Sequence, residues 1–469
     1  MPRSLPTATL YDRYLLALAG VLLGYALLGK GFAYIGLAPL FIGEIALLSG
    51  AVVALRTGCL VSLLAFPPYL LLAMLAGWTM LRTVPFIQTD GLDALRDSVI
   101  VIYGGFAVIV STLLLEDPRR IGIVVSYYQR FVGIYLPCVP PLFFLSWYFS
   151  DQLPRLPGTD VPLVWLGAGE VGAHLAGIVV FVMAGFSRLT PFRWLCLAAA
   201  LVLAGGTSRA AILAFVVPVS LAAVVLGKTR VLLATAAAAF VLLIAAYAAE
   251  MTYGGYQEPH GSTERRASPA QIVENLKSIF VNSGAQTEST TVWREQWWAI
   301  IMEKTINGPY FWSGRGYGPN LAEQDGFGNR HSERPLRSPH NSHLTILARG
   351  GVPSLTLWVS FLASWFGTLG FVAWRARRSG SRAASNLVVF VASYVLACAV
   401  NAAFDVALEA PMQGIWFWSM IGFGSGTAMV YRYLDDARLW KTGLPAGIIP
   451  AFATDRAIRP ISAPSDLRV

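Results

Sequence analysis

Charged side chains are scarce in this 469-residue chain. Asp, Glu, Lys and Arg together make up 13% of it and hydrophobic residues 55%, whereas soluble domains carry about a quarter charged residues. The charges fall in short clusters between apolar runs of roughly 18 to 25 residues, which is long enough to cross a bilayer core. The composition excludes an ordinary soluble globular protein and predicts an all-α polytopic membrane protein with about twelve transmembrane helices.

Cysteine is also scarce, and common metal motifs are missing. The four cysteines (Cys59, Cys138, Cys196 and Cys398) are scattered through apolar segments without a CxxC spacing. They are interpreted as small buried hydrophobic residues, so the sequence indicates neither a disulfide framework nor a cysteine metal site. No HExxH element occurs, which argues against a metal-dependent intramembrane hydrolase.

The positive charge is distributed in a way that indicates membrane orientation. The formal net charge is +9. With the N-terminus inside, arginines and lysines concentrate in the cytoplasmic loops relative to the short loops of the opposite side, as the positive-inside rule requires. This distribution argues against a nucleic-acid partner. It predicts that both termini are cytoplasmic and that the first apolar helix, Leu10–Gly29, is retained rather than cleaved.

This topology divides the chain into four parts. We expect transmembrane helices 1–9 in residues 1–249, an outer loop or cap in 250–341, helices 10–12 in 342–433 and a cytoplasmic tail in 434–469. At roughly 90 residues the outer loop far exceeds ordinary connections. It contains TTVWREQWWAIIMEKTINGPYFWSGRGYG, whose helical and aromatic content disorder rarely shows. A small folded cap with short helices is therefore predicted.

Two arginines on the outer side each allow two interpretations. Arg209, in GGTSRAAIL, is either an interfacial arginine reaching towards headgroups or an anion-binding guanidinium at a helix N-terminus. Arg294, in TVWREQWW, is either part of a solvated, ion-paired helix face or part of a binding site. The tryptophans around it fit an aromatic belt, or the stacking of sugar rings or isoprenoid units.

The stretch PHNSHLTIL places His340 at a predicted helix start after Pro339. His340 and His343 are three residues apart and could share a helix face. That spacing would suit zinc if Glu333 or His331 added a ligand. Capping with surface polarity is a second interpretation, and a histidine acting as general base or as a charged phosphate clamp is a third.

Further polar features leave alternatives open. GRGYG (Gly314–Gly318) does not follow a predicted strand, which favours a tight turn over a phosphate-binding loop. Glu170 and His174 lie four apart in a predicted span, where they are either functional or lock the bundle by hydrogen bonding. Asp405 and Glu409 follow the eleventh span, where they either balance the arginines or orient a histidine.

One hypothesis unites the basic residues. Arg209, Arg294 and His340 come from separate parts of the chain, yet all fall on the outer side under a topology chosen without them. Such a group suits a diphosphate delivered in the plane of the membrane.

The stretches TSRAAILAF, WREQWWAI, GRGYG and PHNSHLTILARGGVPSLTLW resemble the O-antigen ligase and polysaccharide polymerase superfamily of bacterial inner-membrane glycosyltransferases. The last stretch is similar to a family signature in which a His-Asn pair opens a helix that runs into a Gly-x-Pro step. The resemblance covers roughly 205–424; the earlier spans agree in style only.

The resemblance implies metal-independent transfer, without a cofactor, of a glycan from an undecaprenyl-diphosphate carrier to an acceptor hydroxyl at the periplasmic face. Arg209 and Arg294 would bind the diphosphate, and His340 would activate the hydroxyl or hold the diphosphate. Asn341 would position His340 or cap its helix. The remaining substrate-binding candidates are Arg82, Arg96, Arg315 and Glu409.

The implied partners are a glycan or lipid-core acceptor, membrane lipids and other polysaccharide export machinery. A polymerase and a ligase both fit, and the opening GKGFAYIGLAPLFIGE resembles exopolysaccharide-locus members, which favours a polymerase. Protein O-glycosylation is a third family activity. A secondary transporter or flippase-like protein is the alternative from another class, although no matching halves are visible in the sequence.

Overall fold

The computed structural model describes residues 9–253, 268–280, 285–328 and 336–434. His331, Glu333 and the predicted tail from residue 435 onward lie outside these ranges. Within them a small antiparallel hairpin, β1 (Gly36–Leu37) with β2 (Leu40–Phe41), accompanies eighteen α-helices. These are α1 (Leu10–Leu28), α2 (Lys30–Ala33), α3 (Ile42–Leu55), α4 (Pro67–Thr83), α5 (Ile87–Asp90), α6 (Leu92–Ile102), α7 (Gly104–Glu116), α8 (Arg120–Tyr148), α9 (Ala168–Met183), α10 (Pro191–Thr207), α11 (Arg209–Val225), α12 (Thr229–Tyr253), α13 (Pro269–Phe280), α14 (Ala285–Ile306), α15 (Leu321–Asp325), α16 (Ser342–Arg378), α17 (Arg382–Ala402) and α18 (Pro411–Leu434).

Several of these helices are long and apolar enough to cross a membrane. In the described part of the chain six helices meet that criterion, and α6 with α7, bent by 40°, would form a seventh span. The helices α3, α9, α10 and α11 are apolar but shorter. The predicted all-helical, multi-pass architecture therefore agrees with the structure, while the total of twelve spans stays a prediction.

Local sequence signals account for several helix starts. The Thr9 side chain caps α1 by accepting from the Asp12 N–H, and the Asp12 carboxylate accepts from the Thr9 N–H, which forms a capping box. Thr190 caps α10 just before Pro191. Proline suits the first helical position because the backbone N–H that it lacks would have no intrahelical acceptor there.

His174 helps to lock the helices together. Its Nδ1 is hydrogen-bonded to the hydroxyl of Tyr394 on α17, and its ring packs against Phe131 and Trp416. This contact joins α9 to α17, so the structure favours the bundle-locking interpretation of His174.

Helix α16 is broken near its beginning. Gly351 has φ 74° and ψ −173°, a conformation that glycine adopts readily and other residues do not. Pro353 has no N–H to offer to the carbonyl of Arg349 one turn earlier. The first turns of α16, which directly follow His340 and Asn341, are thereby set at an angle to the long remainder of the helix.

Other segments supply the hydrogen bonds that this break leaves open. The N–H of Val352 donates to the carbonyl of Phe311 at 2.8 Å. Phe311 belongs to the predicted outer loop, residues 250–341, which we call the outer segment. This hydrogen bond joins the outer segment directly to the broken helix. Three carbonyls before Gly351 also gain partners at 2.8 Å, from Arg315 N–H to Ala348, from Gly316 N–H to Arg349 and from Trp78 Nε1 to Gly350. The predicted tight turn Gly314–Gly318 is thus part of the support of α16.

Replacing Gly351 with alanine is expected to destabilise the protein by roughly 1–3 kcal/mol, the usual cost of a residue held in a disfavoured conformation. A Cβ there would lie 2.6 Å from the carbonyl oxygen of Phe311. Gly370→Ala is the matched control, because a Cβ at Gly370 on the same helix meets nothing within 4 Å. Thermal unfolding of the detergent-purified proteins measures both, and equal midpoints would refute the expectation.

The outer segment shares a small apolar core with α16. Trp297 and Ile301 on α14 pack with Leu321 and Ala322 of α15 and with Ala348 of α16, all fully buried. Several of the aromatic residues that suggested a membrane belt or a sugar platform therefore hold this segment onto α16. Trp312, by contrast, is 74% exposed.

Candidate active site

His340 lies immediately before α16 rather than on it. Asn341 is the N-cap, and its side-chain oxygen accepts hydrogen bonds from the N–H groups of His343 and Leu344, both at 3.1 Å. His340 has φ 52°, which is uncommon for a residue with a side chain. Trp298 holds the preceding residue by donating to the carbonyl of Pro339 at 2.8 Å. Asn341 therefore caps the helix, as one of its two predicted roles requires.

The two histidines of the HNSH stretch do not share a helix face, contrary to what their spacing suggested. Nδ1 of His343 accepts from Trp358 Nε1 and its Nε2 lies 3.0 Å from the carbonyl of Ala399. Both ring nitrogens are thus engaged inside the protein. Among the described residues no group of three or more His, Cys, Asp or Glu side chains is arranged to hold a metal ion.

Asp405 is the carboxylate beside His340. Its Oδ1 lies 3.4 Å from His340 Nδ1, and the two side chains are 43% and 29% exposed respectively. Partial burial would raise the pKa of Asp405, but the hydrogen bond and charge of His340, the Val406 N–H and the charge of Arg294 hold it below its ordinary value. Asp405 is thus an anion that can orient the imidazole.

Ser342 fixes the loop that carries Asp405. Its hydroxyl donates to the Asp405 carbonyl at 3.2 Å and accepts from the Leu408 N–H at 3.3 Å. The first residue of α16 thereby ties the α17–α18 connection to the helix that follows His340.

Arg294 joins this pair from the outer segment. Its Nη1 donates to the carbonyl of Phe404 at 3.3 Å, one residue before Asp405. The guanidinium lies 5.6 Å from the ring of Trp293, and Trp293 in turn meets the ring of His340 edge-on at 6.0 Å. The structure therefore brings together two of the three predicted basic residues.

Arg209 lies at the same end of the bundle as His340, which we call the site end. The start of α11 packs against the start of α9, because a Cβ at Gly172 of α9 would lie 2.6 Å from the Ala211 carbonyl. The start of α9 in turn packs against the end of α17, where Gly169 faces the side chain of Asn401. At the other end of α11, the Val225 carbonyl accepts a hydrogen bond from Arg377 of α16. Because α11 and α16 run in the same direction, both begin at the site end.

Arg315 lies in a buried ion pair. Its Nη1 donates to Asp325 at 2.8 Å, and Lys304 and Trp297 donate to the same carboxylate at 2.7 and 2.8 Å. Burial would raise the pKa of Asp325, but these donors hold it below its ordinary value. Arg315 thus fixes the Gly314–Gly318 turn to α15.

The other binding candidates are placed as follows. Arg96 is largely exposed and pairs with Asp93 at 3.2 Å, while Arg82 offers its backbone carbonyl to the N–H of Tyr317 at 3.2 Å. Burial raises the pKa of Glu409 above its ordinary value, although the charge of Arg349 opposes this. Of the two acids in the loop, Asp405 is the one that contacts the histidine.

A network of buried charges beside the site was missed in the sequence. Asp97 of α6 accepts from Arg337 at 2.9 Å and from Arg349 at 2.8 Å, and Arg337 also reaches Asp93 at 3.0 Å. Arg349, 1% exposed, donates further to the carbonyl of Gly316 in the turn and to that of Pro319 just after it. A charged residue within a spanning helix is a functional or structural signal by default, and Arg349 carried that signal.

The fold and this site define a polytopic, all-helical membrane protein that presents a histidine, a carboxylate and arginines at one end of its bundle. A family model described as O-antigen ligase matches residues 194–359, the segment that contains Arg209, Arg294 and His340. The predicted resemblance to the O-antigen ligase and polymerase superfamily is thereby confirmed. The match supports a glycosyltransferase type of activity on lipid-linked glycan donors and acceptors in general, and gives no support to a transporter. No curated protein matches the chain.

Proposed function

We propose that this protein transfers a glycan from an undecaprenyl-diphosphate carrier to an acceptor hydroxyl at the periplasmic face of the bacterial inner membrane, without a metal ion. The observation that carries the proposal is the grouping of His340, Asp405 and Arg294, which three separate segments bring to the site end.

The reaction breaks the bond between the sugar and the diphosphate and forms a bond from that sugar to the acceptor oxygen. His340 takes the proton of the acceptor hydroxyl, and Asp405 orients the imidazole and stabilises its charged form. Arg294 and Arg209 stabilise the charge that develops on the departing diphosphate. In the alternative role His340 is itself a charged clamp on the diphosphate.

The charge distribution supports a periplasmic position for the site. Arg375, Arg377 and Arg378 lie in the last turn of α16, at the end of the bundle opposite His340. Basic clusters favour the cytoplasmic side, and this supports a periplasmic position for the site end. We favour a polymerase over a ligase because of the resemblance of the opening stretch to exopolysaccharide-locus members.

The test is a deletion of the gene, complemented by wild type or by His340→Ala. The variant is expected to express normally, to accumulate carrier-linked glycan by mass spectrometry and to lose long or attached surface polymer on gels. Short chains would indicate a polymerase, and long unattached chains a ligase. Full complementation by His340→Ala would overturn the proposal.

A further inference from the structure

An apolar groove of about 480 Å³ runs along one face of α4. We call it the α4 groove. Its walls come from the 3₁₀ turn Val61–Ala65, from α4, from α6 and from the start of α7. Leu64, Ala73, Met80, Ile87 and Leu95 are among the residues that line it.

The few hydroxyl-bearing residues of the groove are partly turned back into the protein. Thr83 donates to the carbonyl of Thr79 at 2.7 Å, and Ser98 donates to the carbonyl of Leu95 at 2.8 Å. Because α4 is among the candidate membrane spans, the α4 groove lies at the level of the bilayer core. A hydrocarbon chain is the ligand chemistry that fits such a surface.

The length of the groove discriminates between hydrocarbon chains. Lining residues occur from Tyr69 to Thr83 on α4 and continue beyond both ends of that helix. Helix α4, with 17 residues, extends about 25 Å. An acyl chain of a phospholipid reaches only the middle of a hydrocarbon core about 30 Å thick, or about 15 Å. The groove is therefore matched to a longer single chain.

One end of the groove leads to the candidate active site. Leu95 and Ser98 line it and flank Asp97 in the sequence, and Asp97 binds Arg337 at 2.9 Å. Arg337 precedes His340 by three residues, so their Cα atoms are at most about 11 Å apart. A lipid in the groove would have its head group close to the site.

We infer that the α4 groove holds the polyprenyl tail of the carrier lipid while the diphosphate lies at the site end. This inference rests on the proposed function for the identity of the carrier. It assigns the tail to α4, α6 and α7, outside the segment 194–359 that the family model matches.

Photocross-linking tests the inference in the full-length protein in its own membrane. A benzophenone amino acid is placed at Ala73, which lines the groove, or at the adjacent Met74, which does not and is 59% exposed. Adducts are identified by mass spectrometry. We expect polyprenyl adducts at Ala73 to exceed those at Met74 at least fivefold, and to persist in a His340→Ala background.

Equal polyprenyl labelling at Ala73 and Met74, or phospholipid adducts alone at Ala73, would overturn the groove assignment. If His340→Ala still accumulates carrier-linked glycan in that case, the proposed function stands and the groove alone is wrong. If no carrier-linked glycan accumulates, the proposed function itself has failed. Ala73→Trp should in addition slow transfer at least tenfold, and Met74→Trp should not.

Discussion

Replacing Asp97 with alanine is expected to destabilise the folded protein by roughly 3–5 kcal/mol, the range found when one partner of a buried ion pair is removed. Arg349 is 1% exposed and Asp97 is its carboxylate partner at 2.8 Å. Without that carboxylate a guanidinium stays buried with its charge uncompensated, and Arg337 loses one of its two carboxylates as well.

Asp93→Ala is the matched control, because Asp93 lies one turn earlier on the same helix and its side chain is 45% exposed. Exposed ion pairs contribute about 0–1 kcal/mol, so this variant should unfold close to wild type. Denaturant titration of the detergent-purified proteins compares the two. A similar loss of stability in both variants, or in neither, would refute the role assigned to the network.

Purified His340→Ala protein is expected to transfer glycan 10²- to 10⁴-fold more slowly than wild type, roughly the contribution of a positioned general base. The reason is that the imidazole beside Asp405 is the group assigned to take the acceptor proton. If this assignment is correct, kcat falls and KM for the carrier-linked donor changes little. If His340 is instead a phosphate clamp, KM for the donor rises.

His331→Ala serves as the control, since this histidine lies in the same predicted outer loop and its predicted role is that of a metal ligand. It should retain wild-type activity, also in the presence of a chelator. Loss of activity in His331→Ala, or on chelation, would revive the metal-dependent interpretation.

Local patterns accounted for much of the candidate site. Pro339 predicted a helix start at His340, and α16 begins two residues later with Asn341 as its cap. The acids after the eleventh span were expected to balance arginines or orient a histidine. Asp405 lies beside His340, whereas burial favours the neutral form of Glu409 by raising its pKa. Capping can be predicted locally because it depends on few neighbours.

Other features depended on contacts between distant segments. The i,i+3 spacing of His340 and His343 suggested a shared face, but the cap lies between them and His343 turns to Trp358. Arg315 was expected at the carrier and is buried against Asp325. A sequence pattern shows that a residue is charged, but not which charge from another segment meets it.

The sequence by itself determined that the chain is helical and suited to a membrane, because the lengths of the apolar runs and the charges of the loops can be read directly from the order of residues. It also singled out His340 and Arg294. The tertiary structure alone decided that Asp405 is the partner of His340 and that the turn Gly314–Gly318 supports the break in α16. These pairings depend on how helices pack over long sequence separations, and packing brings together residues that no local periodicity relates.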